Sequence, residues 1–155
     1  MQSTEMYFED FTVGQKFTTR TSTLTEDEII DFAGKYDPQP FHVDREAARN
    51  SLYGGLIASG FQTMGLCFRL FYQEGLLSNN LGSPGIDNIR WLAPVRAMDT
   101  LKAEVEVLDI QLSTSKNDRG RIMMHYRAVN QDGSIVLSMD IIHIIRHRPN
   151  CGQAG

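Results

Sequence analysis

The chain has 155 residues, with 15 Lys and Arg against 19 Asp and Glu, a formal net charge of −4. That length fits one domain of roughly 100–200 residues, able to bury a real core without metal or disulfide staples. Hydrophobic residues at 41% and charged residues at 22% exclude a disordered chain, and the acidic balance excludes the basic footprint of a nucleic-acid or anionic-membrane binder.

The two cysteines, Cys67 in an apolar run and Cys151 in a polar tail, lack metal-ligand spacing and read as unpaired thiols of a reducing compartment. Met1-Gln2-Ser3-Thr4-Glu5 lacks the basic start and apolar stretch expected of a signal peptide, and no window reaches the roughly 18–20 apolar residues that cross a bilayer. The expectation is a soluble cytoplasmic protein with no metal site, one domain over 1–155, an ordered core over about 11–146 and loose ends.

Phe11 to Thr23 is Thr-rich and predicts a first strand. Thr25-Glu26-Asp27-Glu28 is a capping box with three carboxylates at the positive end of a helix dipole. Ile29, Ile30, Phe32, Ala33 and Tyr36 give that helix an apolar face, and Pro38 stops it. Arg45 to Asn50 reads as a short amphipathic segment. Ser59 to Phe71 predicts a second helix, apolar nearly all round, too short for a membrane and therefore covered by this chain or by a partner subunit.

The second half supplies strands. Ser83-Pro84-Gly85 reads as a turn before a strand from Ile86 to Leu92. Leu101 to Ile110 alternates apolar and charged residues, and Arg121 to Asn130 and Ile135 to Arg146 follow, the last two joined by an Asp132-Gly133 hairpin signal. Short turns between strands imply an antiparallel sheet. The fold class is α+β: a curved antiparallel sheet around one apolar helix. No βαβ alternation and no G-x-G-x-x-G is present, which argues against a dinucleotide-binding fold.

Chemistry concentrates in Tyr36-Asp37-Pro38-Gln39-Pro40-Phe41-His42-Val43-Asp44. Two prolines stiffen this loop and hold a carboxylate and an imidazole at its ends, a pair able to share a water and move protons near neutral pH. The same residues also fit a turn cap and a surface histidine. Tyr53-Gly54-Gly55-Leu56-Ile57-Ala58-Ser59-Gly60 leads into the apolar helix; its glycines allow close approach and amides near a helix start can stabilise a negative oxygen, while Ser59 also fits a plain N-cap.

Together these two segments resemble the MaoC-like dehydratases, whose best-known members are (R)-specific enoyl-CoA hydratases of the hotdog fold. The family pattern Asp-x-Asn-Pro-x-His-x-Asp, then His-Gly-x-x-x-Ala-Ser, stands here as Asp37 to Asp44 and Tyr53 to Ser59, with Gln39 in place of Asn and Tyr53 in place of His. The resemblance extends from about Phe11 to Arg146 and includes Arg90-Trp91-Leu92-Ala93-Pro94-Val95-Arg96. It implies a hotdog fold and reversible addition of water to a trans-2-enoyl thioester. It further implies Asp37 and His42 as the catalytic pair, a Gly54 amide on the thioester oxygen and Ser59 supporting the substrate site. The implied carrier is coenzyme A or acyl carrier protein, with no resident cofactor, and the implied assembly is a homodimer or larger. A hotdog thioesterase and a non-catalytic acyl-binding subunit are the alternatives; the first is disfavoured because Ser59 to Phe71 contains no carboxylate.

Among the remaining histidines, His125 and His143 read as core or sheet-surface residues and His147 as solvated. Arg69, Arg90 and Arg96 are candidates for coenzyme A phosphates with nothing in the sequence to choose among them.

Overall fold

The computed structural model describes residues 5–150. Alternation in the sequence becomes a two-faced strand in β3 (Thr100–Leu112): Leu101, Ala103, Val105 and Val107 point into the core, while Lys102, Glu104 and Glu106 line the outer face. β3 pairs with β1 (Lys16–Thr23) on one side and β4 (Arg119–Val129) on the other, β4 with β5 (Ile135–Arg146), and β5 with β2 (Asn80–Trp91). The result is one five-stranded antiparallel sheet in the order β1-β3-β4-β5-β2.

The first helix, α1 (Glu26–Tyr36), begins at the expected capping box, with the Glu28 amide donating to Thr25 Oγ1 and the Thr25 amide to the Glu28 carboxylate. The long apolar helix is α4 (Gly60–Tyr72). Its Leu66, Cys67, Leu70 and Phe71 lie against the inner face of the sheet, where Phe71 meets Tyr126 edge-on at 5.4 Å and Phe17 at 5.6 Å. The sheet covers only one side of α4. Phe61 and Tyr72 remain more than half exposed, so the described residues do not supply the cover expected for the other side.

Three sequence expectations change. Ser83-Pro84-Gly85 is not a turn; β2 runs straight through it. β2 is an edge strand and its register slips between Gly82 and Gly85, so the missing proline N–H breaks no ladder bond. The first strand is shorter than expected, because Phe8–Asp10 and the residues after it form a 3-10 turn and a loop before Lys16. The C-terminal end is tied down as far as Arg148: His147 Nδ1 lies 2.6 Å from Glu9 Oε1, and Arg148 reaches both Asp10 carboxylate oxygens at 2.6–2.8 Å. His147 is thus paired rather than solvated. Cys151 and the rest of the tail lie outside the described residues.

His125 and His143 take the sheet positions expected of them. His125 sits on the outer face beside Asp140, with Nδ1 2.6 Å from Oδ1. His143 is fully buried against the Tyr126 hydroxyl at 2.8 Å, and burial lowers its pKa to about 4, so it is neutral. No helix among the described residues is long and apolar enough to cross a membrane.

Phe71 carries much of the contact between α4 and the sheet. Phe71→Ala is expected to cost about 3–5 kcal/mol, read as a lower urea midpoint at unchanged slope.

Candidate active site

Local rules place the acid and the imidazole. α1 ends at Asp37, whose amide still donates to Ala33 O while Pro38 forbids another helical turn. Pro40 then opens a single helical turn, α2 (Pro40–Val43), so the segment is not the plain loop expected from its two prolines. Asp44 closes α2 and caps α3 (Arg45–Arg49) by accepting from the amides of Glu46 and Ala47. These two turns fold His42 back toward Asp37 and bury it to 4% exposure.

Nε2 of His42 lies 3.2 Å from Oδ2 of Asp37. The other ring nitrogen, Nδ1, is 2.7 Å from the Ile57 carbonyl oxygen. A carbonyl only accepts, so Nδ1 carries a proton in either charge state and the ring is held in one orientation. Ser59 Oγ donates to Asp37 Oδ2 at 2.8 Å, and Gln39 Nε2 donates to Oδ1 at 2.7 Å. Burial by itself would raise the Asp37 carboxyl; the hydrogen bonds from Gln39 and Ser59, together with the imidazole, outweigh it and hold the pKa below the ordinary carboxylate value. The ionised form is therefore favoured by the fold. That contribution is whole above the ordinary carboxylate range and is lost as pH falls through the lowered Asp37 value.

The pair opens onto a cleft of about 550 Å³. Its walls are mostly apolar: Phe41 and Tyr53, with ring centroids 5.2 Å apart, face Ile57, Phe61, Trp91 and Val95. Trp91 arrives from the far end of β2 and lies across the start of α4. A Cβ on Gly60 would sit 2.4 Å from the indole Nε1, so glycine is what lets the ring close there. The sequence carries one hint of this contact, a glycine at the first helical position; the strand pairing that delivers Trp91 is long-range and leaves no local mark.

Two expectations are corrected. The Gly54 amide is not free for an oxyanion: it donates to Ser51 O at 3.1 Å, in a turn where Gly54 takes a φ of +67°, and Gly54 lines a neighbouring cavity rather than the cleft. Ser59 is fully buried and touches no open space, so it positions Asp37 and caps α4, through the Phe61 amide, rather than binding substrate. Gly60 does line the cleft, at the positive end of α4, and its amide has no acceptor among the described residues. Cys67 is no nucleophile, since burial pushes its thiol up to about 12.

A five-stranded antiparallel sheet curled around one apolar helix, with an acid–imidazole pair beside the start of that helix, defines a hotdog protein of the dehydratase type. Residues 9–124 match the family described as MaoC like domain, and the chain belongs to that family. It is 35% identical over 127 residues to the uncharacterised protein YdeM of Bacillus subtilis, covering 81% of this chain and 89% of that one. It is 32% identical over 106 residues to an (R)-specific enoyl-CoA hydratase of Rhodospirillum rubrum, covering 65% and 69%. The crystal structure of a MaoC-like dehydratase from Rhodospirillum rubrum superposes with a TM-score of 0.86 at 36% identity, over 93% of this chain and 99% of that one.

Ser59→Ala is expected to raise the Asp37 titration midpoint in a carboxyl-carbon NMR titration. Loss of the helix cap is expected to lower stability by about 0.5–2 kcal/mol in urea unfolding at neutral pH.

Proposed function

We propose that this protein adds water reversibly to a trans-2-enoyl thioester to give the 3-hydroxyacyl thioester. The observation that carries this reading is the 3.2 Å approach of Asp37 Oδ2 and His42 Nε2 on the wall of an apolar cleft. With Asp37 ionised and His42 neutral, the site would hold two bases and no acid. One proton held between Oδ2 and Nε2 gives an acceptor and a donor side by side. In the hydration direction the Asp37 carboxylate takes a proton from water, the water oxygen bonds to C3, and His42 Nε2–H delivers its proton to C2. The proton count of the pair is restored when Asp37 passes its proton back to His42 Nε2.

As C3 is attacked, negative charge grows on the thioester oxygen. The Gly60 amide at the start of α4 is the donor we assign to that oxygen, a contribution of about 2.7–4 kcal/mol for a well-placed donor. The apolar walls suit an acyl chain. The similarity to an (R)-specific enoyl-CoA hydratase supports the same chemistry.

A homodimer in the cytoplasm completes the reading. Exposed apolar side chains on α4 and on edge strand β2, including Phe61, Tyr72, Ile86 and Trp91, support a second copy covering that side. A thioesterase is disfavoured because α4 holds no carboxylate, and a purely binding subunit because burying an acid–imidazole pair costs free energy that binding alone does not need.

Asp37→Asn and His42→Ala are each expected to lower turnover of crotonyl-CoA by about 10²–10⁴, measured by loss of enoyl-thioester absorbance, with circular dichroism and the unfolding transition retained. Turnover close to that of the unaltered protein in both variants would overturn the assignment.

A further inference from the structure

A second cavity, of about 300 Å³, lies against the acyl cleft, and three arginines line it: Arg45 and Arg49 from α3, and Arg96. The two cavities share one partition. Tyr53 and Ile57 line the cleft, while Gly54, Gly55 and Leu56 between them line the arginine cavity. Val95 lines the cleft and Arg96 the other side. An antiparallel bridge between Ile57 and Arg96 holds the two segments together, and Arg96 Nη2 donates to Tyr53 O at 2.6 Å.

The polar groups of this cavity have few partners among the described residues. Arg45 pairs with Glu26, the one carboxylate on the wall. Arg96 is fixed by its bond to Tyr53 O, and its Nη1 stands close over Gly55, 3.4 Å from where a Cβ would lie. Arg49 has neither an ion pair nor a hydrogen bond among the described residues, and the Gly55 and Leu56 amides donate to no acceptor among them. Three positive charges against one negative thus gather in one hollow of a chain whose net charge is −4. Guanidinium forks beside free backbone amides are the chemistry that holds phosphate oxygens.

We propose that the cavity formed by Arg45, Arg49, Arg96 and the Gly55–Leu56 amides binds the phosphate of a phosphopantetheine-bearing acyl carrier whose thioester end enters the adjoining cleft. The naming of the ligand rests on the thioester reading above; the anion site itself rests on the arginines and amides. The phosphate comes from one of two sources, the diphosphate of coenzyme A or the phosphodiester of a carrier protein.

Arg49→Glu tests this, because the Arg49 side chain makes no ion pair or hydrogen bond among the described residues. Adenosine 3′,5′-bisphosphate and ADP are titrated by calorimetry into the full-length protein. For a coenzyme A site, Arg49→Glu is expected to weaken binding at least about tenfold, and Glu26→Gln, which releases Arg45, to tighten it. The KM for crotonyl-CoA is expected to rise in Arg49→Glu with kcat unchanged, while the KM for crotonyl-pantetheine, which has no phosphate, stays put. Nucleotides that fail to bind, together with an Arg49→Glu defect confined to a crotonyl carrier protein, assign the phosphodiester instead and uphold the site. Nucleotide affinity and both KM values unmoved by Arg49→Glu overturn it. Should no thioester turn over at all, the hydratase reading fails, and the anion site then stands if the nucleotides bind and Arg49→Glu weakens them and is overturned if they do not.

Discussion

The Ser59 hydroxyl holds the core and the chemistry in one frame. It accepts from the Phe61 amide, starting α4, and donates to Asp37 Oδ2. α4 in turn is fixed on the sheet by Leu66, Leu70 and Phe71. The carboxylate is therefore referenced to the hydrophobic core, and the imidazole is referenced to the same region through Ile57 O, one residue before Ala58, whose amide donates to Val95 O. Taking a carboxylate and an imidazole out of water costs free energy, and three hydrogen-bond partners (Gln39, Ser59 and Ile57) together with the contact within the pair offset that cost. Without them the pair would relax toward solvent.

Where this chain departs from the motif of its family, the geometry supplies reasons. Gln39 stands in place of Asn, and its longer side chain still reaches Asp37 Oδ1 at 2.7 Å, so the donor to the carboxylate is kept. Tyr53 stands in place of His and packs on Phe41, whose ring in turn meets His42 at 4.5 Å. That substitution puts a phenol ring, neutral at pH 7, where an imidazole would stand on the cleft wall.

Much of this was legible in the chain. The capping box at Thr25, the stop at Pro38, the alternation in Leu101 to Val107 and the continuous apolar run of α4 are local signals, and each became the element it implied. Asp37 and His42 were legible because two prolines and a recognisable motif bracket them. The rest was hidden for definite physical causes. A proline inside an edge strand looks like a turn until the strand order is known, as at Pro84. The oxyanion role of Gly54 came from the family resemblance, and the motif does not show that Ser51 O, in a turn just before it, takes the amide. Trp91 and Arg96 reach their cavities from a segment more than thirty residues beyond the motif, brought there by sheet pairing and by the bridge to Ile57.

The side-by-side placement of Asp37 and His42 has a stereochemical consequence. Both lie on one wall of the cleft, and the ring cannot turn its other nitrogen forward while Nδ1 is held by Ile57. Under the proposed chemistry a flat double bond resting on that wall receives hydroxyl and hydrogen from the same side. In heavy water the product would therefore be a single diastereomer, labelled at C2 and of one hand at C3, and its handedness would be written by which face of the alkene Phe41 and Trp91 allow to lie down.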